Sequence, residues 1–435
     1  MTKVYLRKGR DASLRRFHPW VFSGAVARVD GSPAEGDVVF VCSAEGEPLA
    51  AGHWQVGSIA VRVLSFTSDP LLPAFWQESL CSALAVRKRC LLYTPSASLP
   101  AVPPHLASLD SCGTAPDGAL ASLGNPRTPP VARVTNCFRL VHGEGDGLPG
   151  LIIDWYDGVA VMQAHSVGMF RAKAKICEAL QKVFGKEIKA VYDKSSGTAP
   201  FKAGLELVDG FIWQAPRYKP GPQTVLENGH KFLVDFTEGQ KTGFFLDQRE
   251  NRALVEKYAM GKNVLNLFCY TGGFSVYALA GGAVHVDSVD SSAKAISLVA
   301  GNMELNGFAP ETHGEICADA IEYLGQKCED GRYDLMIVDP PAFAKHRGAL
   351  QNALRAYQRL NAAAISKVAP GGLVFTFSCS QVVDKEAFAL AVFSAAAQTG
   401  RSVRILDRMC QPADHAVNIY HPEGEYLKGL LLYVE

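Results

Sequence analysis

Two apolar stretches of the sequence end in side chains that can act on a bound substrate. The run GGLVFTFSCSQ leads into Cys379, and the run YDLMIVDPPAF leads into Asp339. A cysteine thiolate is a strong nucleophile, and a carboxylate at a strand end can accept a hydrogen bond or a proton. If both strands belong to one parallel sheet, the two groups meet at its carboxyl edge. The pair therefore predicts a catalytic site built from Cys379 and Asp339.

A glycine-containing turn follows a third apolar strand. The strand VLNLF at 264–268 runs into CYTGGF and then into the helical run SVYALAGG. Gly272 and Gly273 allow the backbone to approach a ligand closely, beyond the carboxyl end of the strand. The turn lacks the G-x-G-x-x-G spacing that shapes a pyrophosphate site, which favours a ligand without phosphates over a dinucleotide. An ordinary tight turn remains an equal alternative for this segment alone.

Two aspartates follow this turn at positions typical of a nucleoside site. Asp290 ends the strand HVDSVD, near the offset of about 20 residues at which an acid reaches ribose hydroxyls. Asp319, in ICADAIEYL, precedes a helix and can accept a hydrogen bond from an adenine amine. It can equally be the N-cap of that helix, and one aspartate can do both.

The cysteine narrows the chemistry to one class of methyl transfer. Carbon 5 of cytosine is a poor nucleophile, but addition of a thiolate to carbon 6 produces an enamine-like ring that accepts a methyl group at carbon 5. Methylation of a ring nitrogen, an amine or a ribose hydroxyl needs no covalent step. The thiol of Cys379 would be activated by a lowered pKa or by a nearby base. The carbon 5 proton must then be removed, and Asp339 acting through water is one candidate acceptor.

Composition is typical of a folded protein with several domains. The chain has 435 residues, of which 48% are hydrophobic and 20% charged. No stretch has the apolar length of a signal peptide or a membrane span, so we expect a cytoplasmic protein without membrane contact. Net charge is zero, but residues 1–30 hold an excess of Lys and Arg, which suits either phosphate contacts or a solvated face. The eleven cysteines form no C-x-x-C pair, so neither a disulfide framework nor a metal site is expected.

Four regions are expected to position these residues. Residues 1–73 alternate β-rich runs such as VVFVC with turns, which indicates a small β-barrel-like domain. Residues 74–130 begin with a linking helix and continue, from 94, as a Pro-, Ala-, Ser- and Gly-rich segment that predicts an exposed, mobile insertion. Residues 131–225 show the β-β-α-β pattern of an α+β module. Residues 226–435 alternate apolar strands with helices, which predicts a doubly wound, mostly parallel α/β sheet.

Together these motifs resemble a known family, the bacterial ribosomal RNA large-subunit methyltransferases with an N-terminal PUA domain, which make 5-methylcytidine in 23S RNA. RKGRDASLRRFHPWVFSGAV is similar to its PUA domain and GEGDGLPGLIID to its middle module. The segments GFFLDQRENR, LNLFCYTGGFSVYA, DSVDSSAKA, DPPAF and FSCSQ are similar to its methyltransferase motifs. The resemblance implies a Rossmann-like, class I methyltransferase domain at the C-terminus. The chain departs from the family at the 94–130 insertion, and Pro341 stands where a two-cysteine subclass has its second cysteine.

The resemblance also implies S-adenosylmethionine as cofactor and roles for individual residues. Cys379 would be the nucleophile, and Asp339 would lie at the edge near the target base. The loop with Gln248 and Arg249 would close over the cofactor, with Arg249 pairing with the cofactor carboxylate. The residues expected to bind the cofactor are Gln248, Arg249, Phe268, Cys269, Tyr270, Thr271, Gly272, Gly273, Asp290, Ser291, Asp319, Ala320, Asp339 and Pro340.

The expected partner is RNA, in particular 23S rRNA, and association as a homodimer is left open. Phe343 is a candidate for stacking on a base and Lys345 for contacting phosphates, although an aromatic residue in a turn often only packs. Trp20 in HPWVF is interpreted as a fold residue rather than an RNA contact. Three alternatives remain: methylation of guanine or of an exocyclic amine without the cysteine, an inactive RNA-binding scaffold, and a nicotinamide oxidoreductase. The missing pyrophosphate fingerprint disfavours the oxidoreductase.

Overall fold

The computed structural model describes residues 2–93, 134–200, 204–344 and 346–435. Within these ranges the strands form sheets of six, five, two and seven strands. The insertion predicted at 94–130 lies outside the described residues, as does Lys345. The predicted boundaries between the four regions stay predictions.

The N-terminal region is a six-stranded sheet. Its elements are β1 (Lys3–Leu6), α1 (Ala12–Arg15), β2 (Trp20–Phe22), β3 (Val26–Asp30), β4 (Val38–Cys42), β5 (Pro48–Trp54) and β6 (Ile59–Ser65), with the strand order β2-β6-β5-β4-β1-β3. Alternate residues of the strands, such as Val39 and Val41, are buried in a shared apolar core, because successive side chains of a strand face opposite sides. This sheet confirms the β-rich region predicted at the N-terminus.

The middle region is a five-stranded sheet covered by two helices. Its elements are α2 (Phe75–Arg89), β7 (Cys137–His142), β8 (Leu151–Tyr156), β9 (Val159–Ala164), α3 (Val167–Phe184), β10 (Ala190–Asp193) and β11 (Gly210–Gln214), and its strand order is β11-β10-β9-β8-β7. The N-cap of helix α3 is Ser166, whose side chain accepts a hydrogen bond from the backbone N–H of Met169. Leu80 of α2 and Leu180 of α3 share one apolar core with the sheet. This arrangement confirms the small α+β module.

A hairpin and a helix lead from the middle region to the last sheet. The hairpin pairs β12 (Gln223–Glu227) with β13 (His230–Val234) around Asn228 and Gly229, which both have positive φ. Asn-Gly favours this conformation at a two-residue hairpin turn. The helix α4 (Arg249–Tyr258) follows and packs against the next helix of the chain.

The C-terminal region is a seven-stranded sheet with helices on both faces. Its elements are β14 (Asn263–Leu267), α5 (Gly273–Ala280), β15 (His285–Asp290), α6 (Ala293–Leu305), β16 (His313–Cys317), α7 (Ala320–Glu322), β17 (Leu335–Val338), α8 (Leu350–Lys367), β18 (Gly372–Ser378), α9 (Lys385–Thr399), β19 (Val403–Cys410) and β20 (Lys428–Val434). The strand order is β16-β15-β14-β17-β18-β20-β19, in which β20 is antiparallel to both neighbours. This topology confirms the doubly wound, mostly parallel sheet.

The sheet is buried on both faces, which explains its continuously apolar strands. Along β17, Leu335 and Ile337 belong to the core on one side, whereas Met336 and Val338 belong to the core on the other. A strand covered on both sides needs apolar residues at every position. The order of strands reverses beside β14, and ligands of such sheets bind beyond the carboxyl ends of the strands at that point. No helix within the described ranges is both long enough and apolar enough to span a membrane.

Candidate active site

A cavity of about 380 Å³ opens at the carboxyl edge of the last sheet, where its strand order reverses. The residues that line it come mostly from the segments that follow five strands, β14 to β18, and from the loop before α4. Most of the predicted site residues are among them: Gln248, Phe268, Cys269, Tyr270, Thr271, Gly273, Asp290, Ser291, Asp319, Ala320, Asp339, Pro340 and Cys379. The strands therefore bring together side chains that are far apart in the sequence.

The turn after β14 is held in an unusual backbone conformation. Phe268, Tyr270 and Gly272 have φ values of 58°, 48° and 77°. Residues other than glycine rarely adopt positive φ, and such strain is often found at ligand sites. Gly272 itself faces α6, because a Cβ atom there would lie 3.0 Å from a methyl group of Val299. Gly272 therefore shapes the turn without lining the cavity.

Two aspartates fix the loops around the cavity through backbone hydrogen bonds. The Asp290 carboxylate accepts from the N–H groups of Tyr270 and Ser292, both at 2.9 Å. The Asp319 carboxylate accepts from the first N–H groups of α7, at 2.9 Å each, and is therefore its N-cap. Both aspartates also line the cavity, so each has a structural contact and faces the space for a ligand.

Asp339 is held by a buried glutamine. The side-chain amide of Gln248 donates to Asp339 at 2.9 Å, and the Gln248 carbonyl oxygen accepts from the Asn251 amide at 2.5 Å. Gln248 is only 3% exposed, so these two contacts fix the orientation of its amide. One oxygen of Asp339 is thereby occupied, in a carboxylate that lines the cavity.

The pKa values of two neighbouring aspartates are shifted in opposite directions. Burial, followed by the negative charge of Asp247, raises the pKa of Asp339 to about 7. Burial would also raise the pKa of Asp247, but Lys241, His415 and the hydroxyl of Tyr426 outweigh it and lower this pKa to about 2. Asp247 is therefore ionised at neutral pH, whereas Asp339 can gain or lose a proton there. A group with a pKa near the working pH is well suited to acid–base catalysis.

The surroundings of Cys379 keep its thiol protonated at neutral pH. Burial, followed by the charge of Asp339, raises its pKa to about 11. Of the two modes of activation predicted from the sequence, a lowered pKa is therefore contradicted by the surroundings of the thiol. The nearby base is present, since Asp339 faces the same cavity. Sequence alone could not give this result, because it depends on how deeply the strand end is buried.

A second, larger cavity of about 1140 Å³ adjoins the first. Cys379, Asp247, Lys241 and Phe245 line both cavities, so the candidate nucleophile lies where they meet. The larger cavity is lined by all three regions of the fold, including Trp20, Arg62, Arg139, His142, Gln163, His165, Lys194 and His421.

Trp20, interpreted from the sequence as a fold residue, has a structural contact and also a place in the larger cavity. Its indole N–H donates to the Glu144 carboxylate at 2.9 Å, and Arg62 donates to the same oxygen at 2.9 Å while lying over the indole ring. These contacts join the N-terminal sheet to the middle region, as expected of a fold residue. Trp20 nevertheless also lines the larger cavity.

The sequence analysis does not include Asp247 among the site residues, although it lines both cavities. Its position directly before Gln248 in GFFLDQRENR could have indicated this role.

Arg249 does not reach the cavity. It is 1% exposed, and its guanidinium donates to both oxygens of Asp414, at 2.7 and 3.2 Å. Its Nε lies 3.6 Å from the Glu227 carboxylate. The predicted pairing with a cofactor carboxylate is therefore replaced by a buried ion pair with the C-terminal segment. Arg252, one turn further along α4, lines the cavity instead and is itself bound to Glu227 at 2.8 Å.

Phe343 is half-buried and packs against the neighbouring helix. Its ring lies 4.8 Å from the ring of Tyr357, and it lines neither cavity. The alternative of a packing residue therefore applies, because the turn after Pro340 directs this ring towards α8. Lys345, the second predicted substrate contact, lies outside the described residues.

Comparison with known proteins gives matches over both ends of the chain and over its full length. Residues 219–428 match a family model described as S-adenosylmethionine-dependent methyltransferase, and residues 4–66 match a PUA-like domain. The ribosomal RNA large subunit methyltransferase I of Alteromonas mediterranea is 38% identical over 432 residues, covering 99% of this chain and 98% of the relative. The protein of the same name from Pseudoalteromonas translucida is 36% identical over 431 residues, covering 98% of each.

Solved structures agree on the fold. A methyltransferase complexed with SAH superposes with a TM-score of 0.77 at 21% identity, and both chains are covered completely. A SAM-dependent methyltransferase from Streptococcus mutans gives a TM-score of 0.76, also at 21% identity and with complete coverage. At this level of identity the structural likeness shows the fold alone.

Proposed function

This chain belongs to the ribosomal RNA large subunit methyltransferase I family, and from that premise we propose that it methylates carbon 5 of a cytosine in 23S ribosomal RNA through a covalent adduct of Cys379. The two family models that match the chain confirm the predicted S-adenosylmethionine-dependent methyltransferase domain and the predicted N-terminal PUA-like domain. The observation that carries the finer proposal is the position of Cys379, which lines both cavities. A nucleophile placed there faces a base in one cavity and the methyl donor in the other.

The smaller cavity fits S-adenosylmethionine. The strained turn from Phe268 to Gly273 would hold the methionine part, Asp290 the ribose and Asp319 the adenine, since carboxylates accept from hydroxyl and amine groups. Among the described residues, one carboxylate oxygen of Asp247 is buried without a hydrogen-bond partner, so it can accept a hydrogen bond from the cofactor. When bound, the cofactor supplies an electrophilic methyl group.

The larger cavity suits a base turned out of an RNA strand. Trp20 and Phe245 offer aromatic surfaces for stacking, and Arg62 and Lys241 offer positive charge. Single-stranded RNA is recognised by this combination of stacking on aromatic or guanidinium groups and charge. Because the cavity draws on all three regions of the fold, the RNA would contact the PUA-like domain and the catalytic domain together. Such a role in ribosomal RNA modification would place the protein in the cytoplasm.

Asp339 and Cys379 would share the proton transfers. Asp339 accepts the thiol proton of Cys379, the thiolate bonds to carbon 6, and Asp339 passes the proton to ring nitrogen 3. Carbon 5 thereby becomes nucleophilic and takes the methyl group. Asp339, again a carboxylate, accepts the carbon 5 proton, and the electrons of that bond form the carbon 5–carbon 6 double bond as the thiolate leaves. Nitrogen 3 then loses its proton to solvent, and the thiolate takes the proton from Asp339, which returns both groups to their starting forms.

The test combines product analysis with a cysteine variant. The protein is incubated with labelled S-adenosylmethionine and unmodified 23S RNA, and the labelled nucleoside is identified by mass spectrometry. We expect 5-methylcytidine, no transfer by Cys379→Ala, and an unchanged cofactor Kd in that variant. Cys81→Ala, which removes an exposed thiol from α2, is the matched control. Label in a guanosine or adenosine product, or full activity of Cys379→Ala, would contradict the covalent mechanism.

We also propose that the protein forms a homodimer through its C-terminal sheet. The strand β19 is an edge of this sheet and exposes Ile405 and Leu406, while α9 exposes Leu390 and Phe393. An edge strand has unpaired backbone groups, and pairing with the same strand of a second copy gives a symmetric contact. Phe393→Glu should convert a dimer into a monomer in light scattering. A wild-type protein that is monomeric at micromolar concentration would contradict this part of the proposal.

A further inference from the structure

A buried lysine lies behind the candidate nucleophile. Lys428, the first residue of β20, is only 5% exposed. Its ammonium donates to the backbone carbonyl of Ser380 and, at 2.7 Å, to that of Tyr426. Within the described part of the chain it forms no ion pair with a carboxylate. One of its two acceptors thus belongs to the residue directly after Cys379.

The register of the sheet fixes this position. The strands β18 and β20 are antiparallel, with Ser378 directly opposite Lys428. Opposed residues in such a pair have Cβ atoms only about 4.5–5.5 Å apart. Lys428 therefore stands beside the end of the strand that delivers Cys379. The turn is also fixed from its other side, since the Ser380 hydroxyl donates to the carbonyl of Ala344 at 2.7 Å.

Keeping an ammonium at this place is costly for the fold. A buried charge is destabilising unless it is paired, and two neutral carbonyl groups compensate only part of its lost hydration. Burial lowers the pKa of Lys428 to about 8, although the charges of Cys379, Glu425 and Asp384 act in the opposite direction and only Lys385 adds to the effect. An apolar side chain of similar length would fill the same space without this cost. The buried charge of Lys428 therefore indicates a function.

The charged groups around the thiol of Cys379 indicate what the function of Lys428 is. Cys379 faces two carboxylates, Asp339 and Asp247, which both oppose its ionisation, and Lys241 is a cation that favours it. Lys241 is exposed, however, so solvent weakens its effect. A buried ammonium is screened much less than an exposed one.

We propose that Lys428 is the positioning residue for the nucleophile: its ammonium fixes the Cys379–Ser380 turn and supplies the buried positive charge that stabilises the Cys379 thiolate. This inference rests on the proposed function of Cys379. The proton released by the thiol goes to Asp339, so Lys428 accepts no proton and forms no bond to the substrate; with a pKa of about 8 it is mostly protonated at pH 7.

The test measures the thiol itself, without RNA or cofactor. Alkylation of Cys379 by iodoacetamide is followed against pH in the full-length protein by peptide mass spectrometry, with the exposed Cys81 as an internal reference. Lys428→Met removes charge and hydrogen bonds, whereas Lys428→Gln removes the charge but keeps an amide that can donate. We expect both variants to alkylate Cys379 about tenfold more slowly at pH 7, where the wild-type Lys428 is mostly charged, a shift of about one pKa unit. Lys428→Arg should restore most of the rate, and Cys81 should react equally in all proteins.

The outcomes separate this inference from the proposed function. Wild-type alkylation of Cys379 in a folded Lys428→Gln protein would overturn the charge role, whichever nucleoside the enzyme methylates. If Lys428→Met fails to fold, Lys428→Gln and Lys428→Arg still give the comparison. In turnover assays we expect Lys428→Gln to lower kcat about tenfold with the RNA KM and the cofactor Kd unchanged. A raised KM at constant kcat would overturn the inference, because it would mean that Lys428 acts in binding.

Discussion

Replacing Asp247 by Asn tests whether one aspartate sets the proton affinity of the other. The substitution keeps the size of the side chain and its contact with the Tyr426 hydroxyl, at 2.8 Å in the wild type, but removes the negative charge. The pKa of Asp339 lies at about 7, against an ordinary value of 3.8. Burial is the larger cause of this rise and Asp247 the second, so removal of Asp247 should lower the pKa by about one unit.

The assay is the pH dependence of kcat/KM for methyl transfer. Asp339 must be ionised to accept a proton, so the wild-type rate should rise with pH through about 7 and then level off. A shift of one unit would raise the ionised fraction of Asp339 at pH 6 from about 10% to about 50%, and thus the rate about fivefold relative to the plateau. Asp209→Asn removes the same charge from the larger cavity and should leave the midpoint in place.

Two results would refute this reasoning. If the midpoint of Asp247→Asn equals that of the wild type, Asp247 does not act on Asp339 through its charge. If Asp339→Asn retains the same midpoint, the titrating group is not Asp339 at all. Stability gives an independent check on the sign, because a carboxyl group whose pKa is raised by folding contributes stability that is full below about 3.8 and is lost as pH rises through about 7. Asp339→Asn should therefore remove that loss from the free energy of unfolding.

Three further substitutions test the parts of the site that hold the fold and the cofactor. Asp290→Ala should weaken S-adenosylmethionine binding by about 1–3 kcal/mol in calorimetry, and an unchanged Kd would show that the ribose lies elsewhere. Arg249→Met should lower the free energy of unfolding by about 3–5 kcal/mol because it leaves the buried Asp414 carboxylate without its partner. Its folded fraction should bind the cofactor with the wild-type Kd, and a large loss of affinity would restore the cofactor role predicted from the sequence. Gly272→Ala should lower the free energy of unfolding by about 1–2 kcal/mol, owing to its φ of 77° and the approach to Val299. Equal denaturation midpoints would contradict that strain.

The strand ends of the site were predictable from the sequence for a topological reason. Asp339 and Cys379 each follow an apolar run of strand length and Asp290 ends the strand HVDSVD, and parallel strands bring such ends to one edge. The glycine turn was predictable because few residues other than glycine suit its φ. These inferences need only the local pattern and the handedness of the fold.

The remaining features depend on partners that are distant in the sequence. The ion pair of Arg249 joins residues 165 positions apart, so no local pattern distinguishes it from a surface charge or a ligand contact. The raised pKa of Cys379 depends on burial, which appears only when the sheet is assembled. Trp20 shares a cavity with Cys379 because the N-terminal sheet packs over the middle region. A single sequence gives no register for that packing.

The buried ion pair of Arg249 and Asp414 also implies an order in which parts of this protein fold during synthesis. A ribosome makes Arg249 well before Asp414. Until then its neighbouring acid is Glu227, which lies 3.6 Å away and is already bound by Arg252, so burying Arg249 would be strongly destabilising. We therefore expect this part of the core to close only after the segment that contains Asp414 has been synthesised. The same segment brings Leu427 to the wall of the smaller cavity. We therefore expect a chain that ends before Asp414 to lack both a closed catalytic domain and methyltransferase activity.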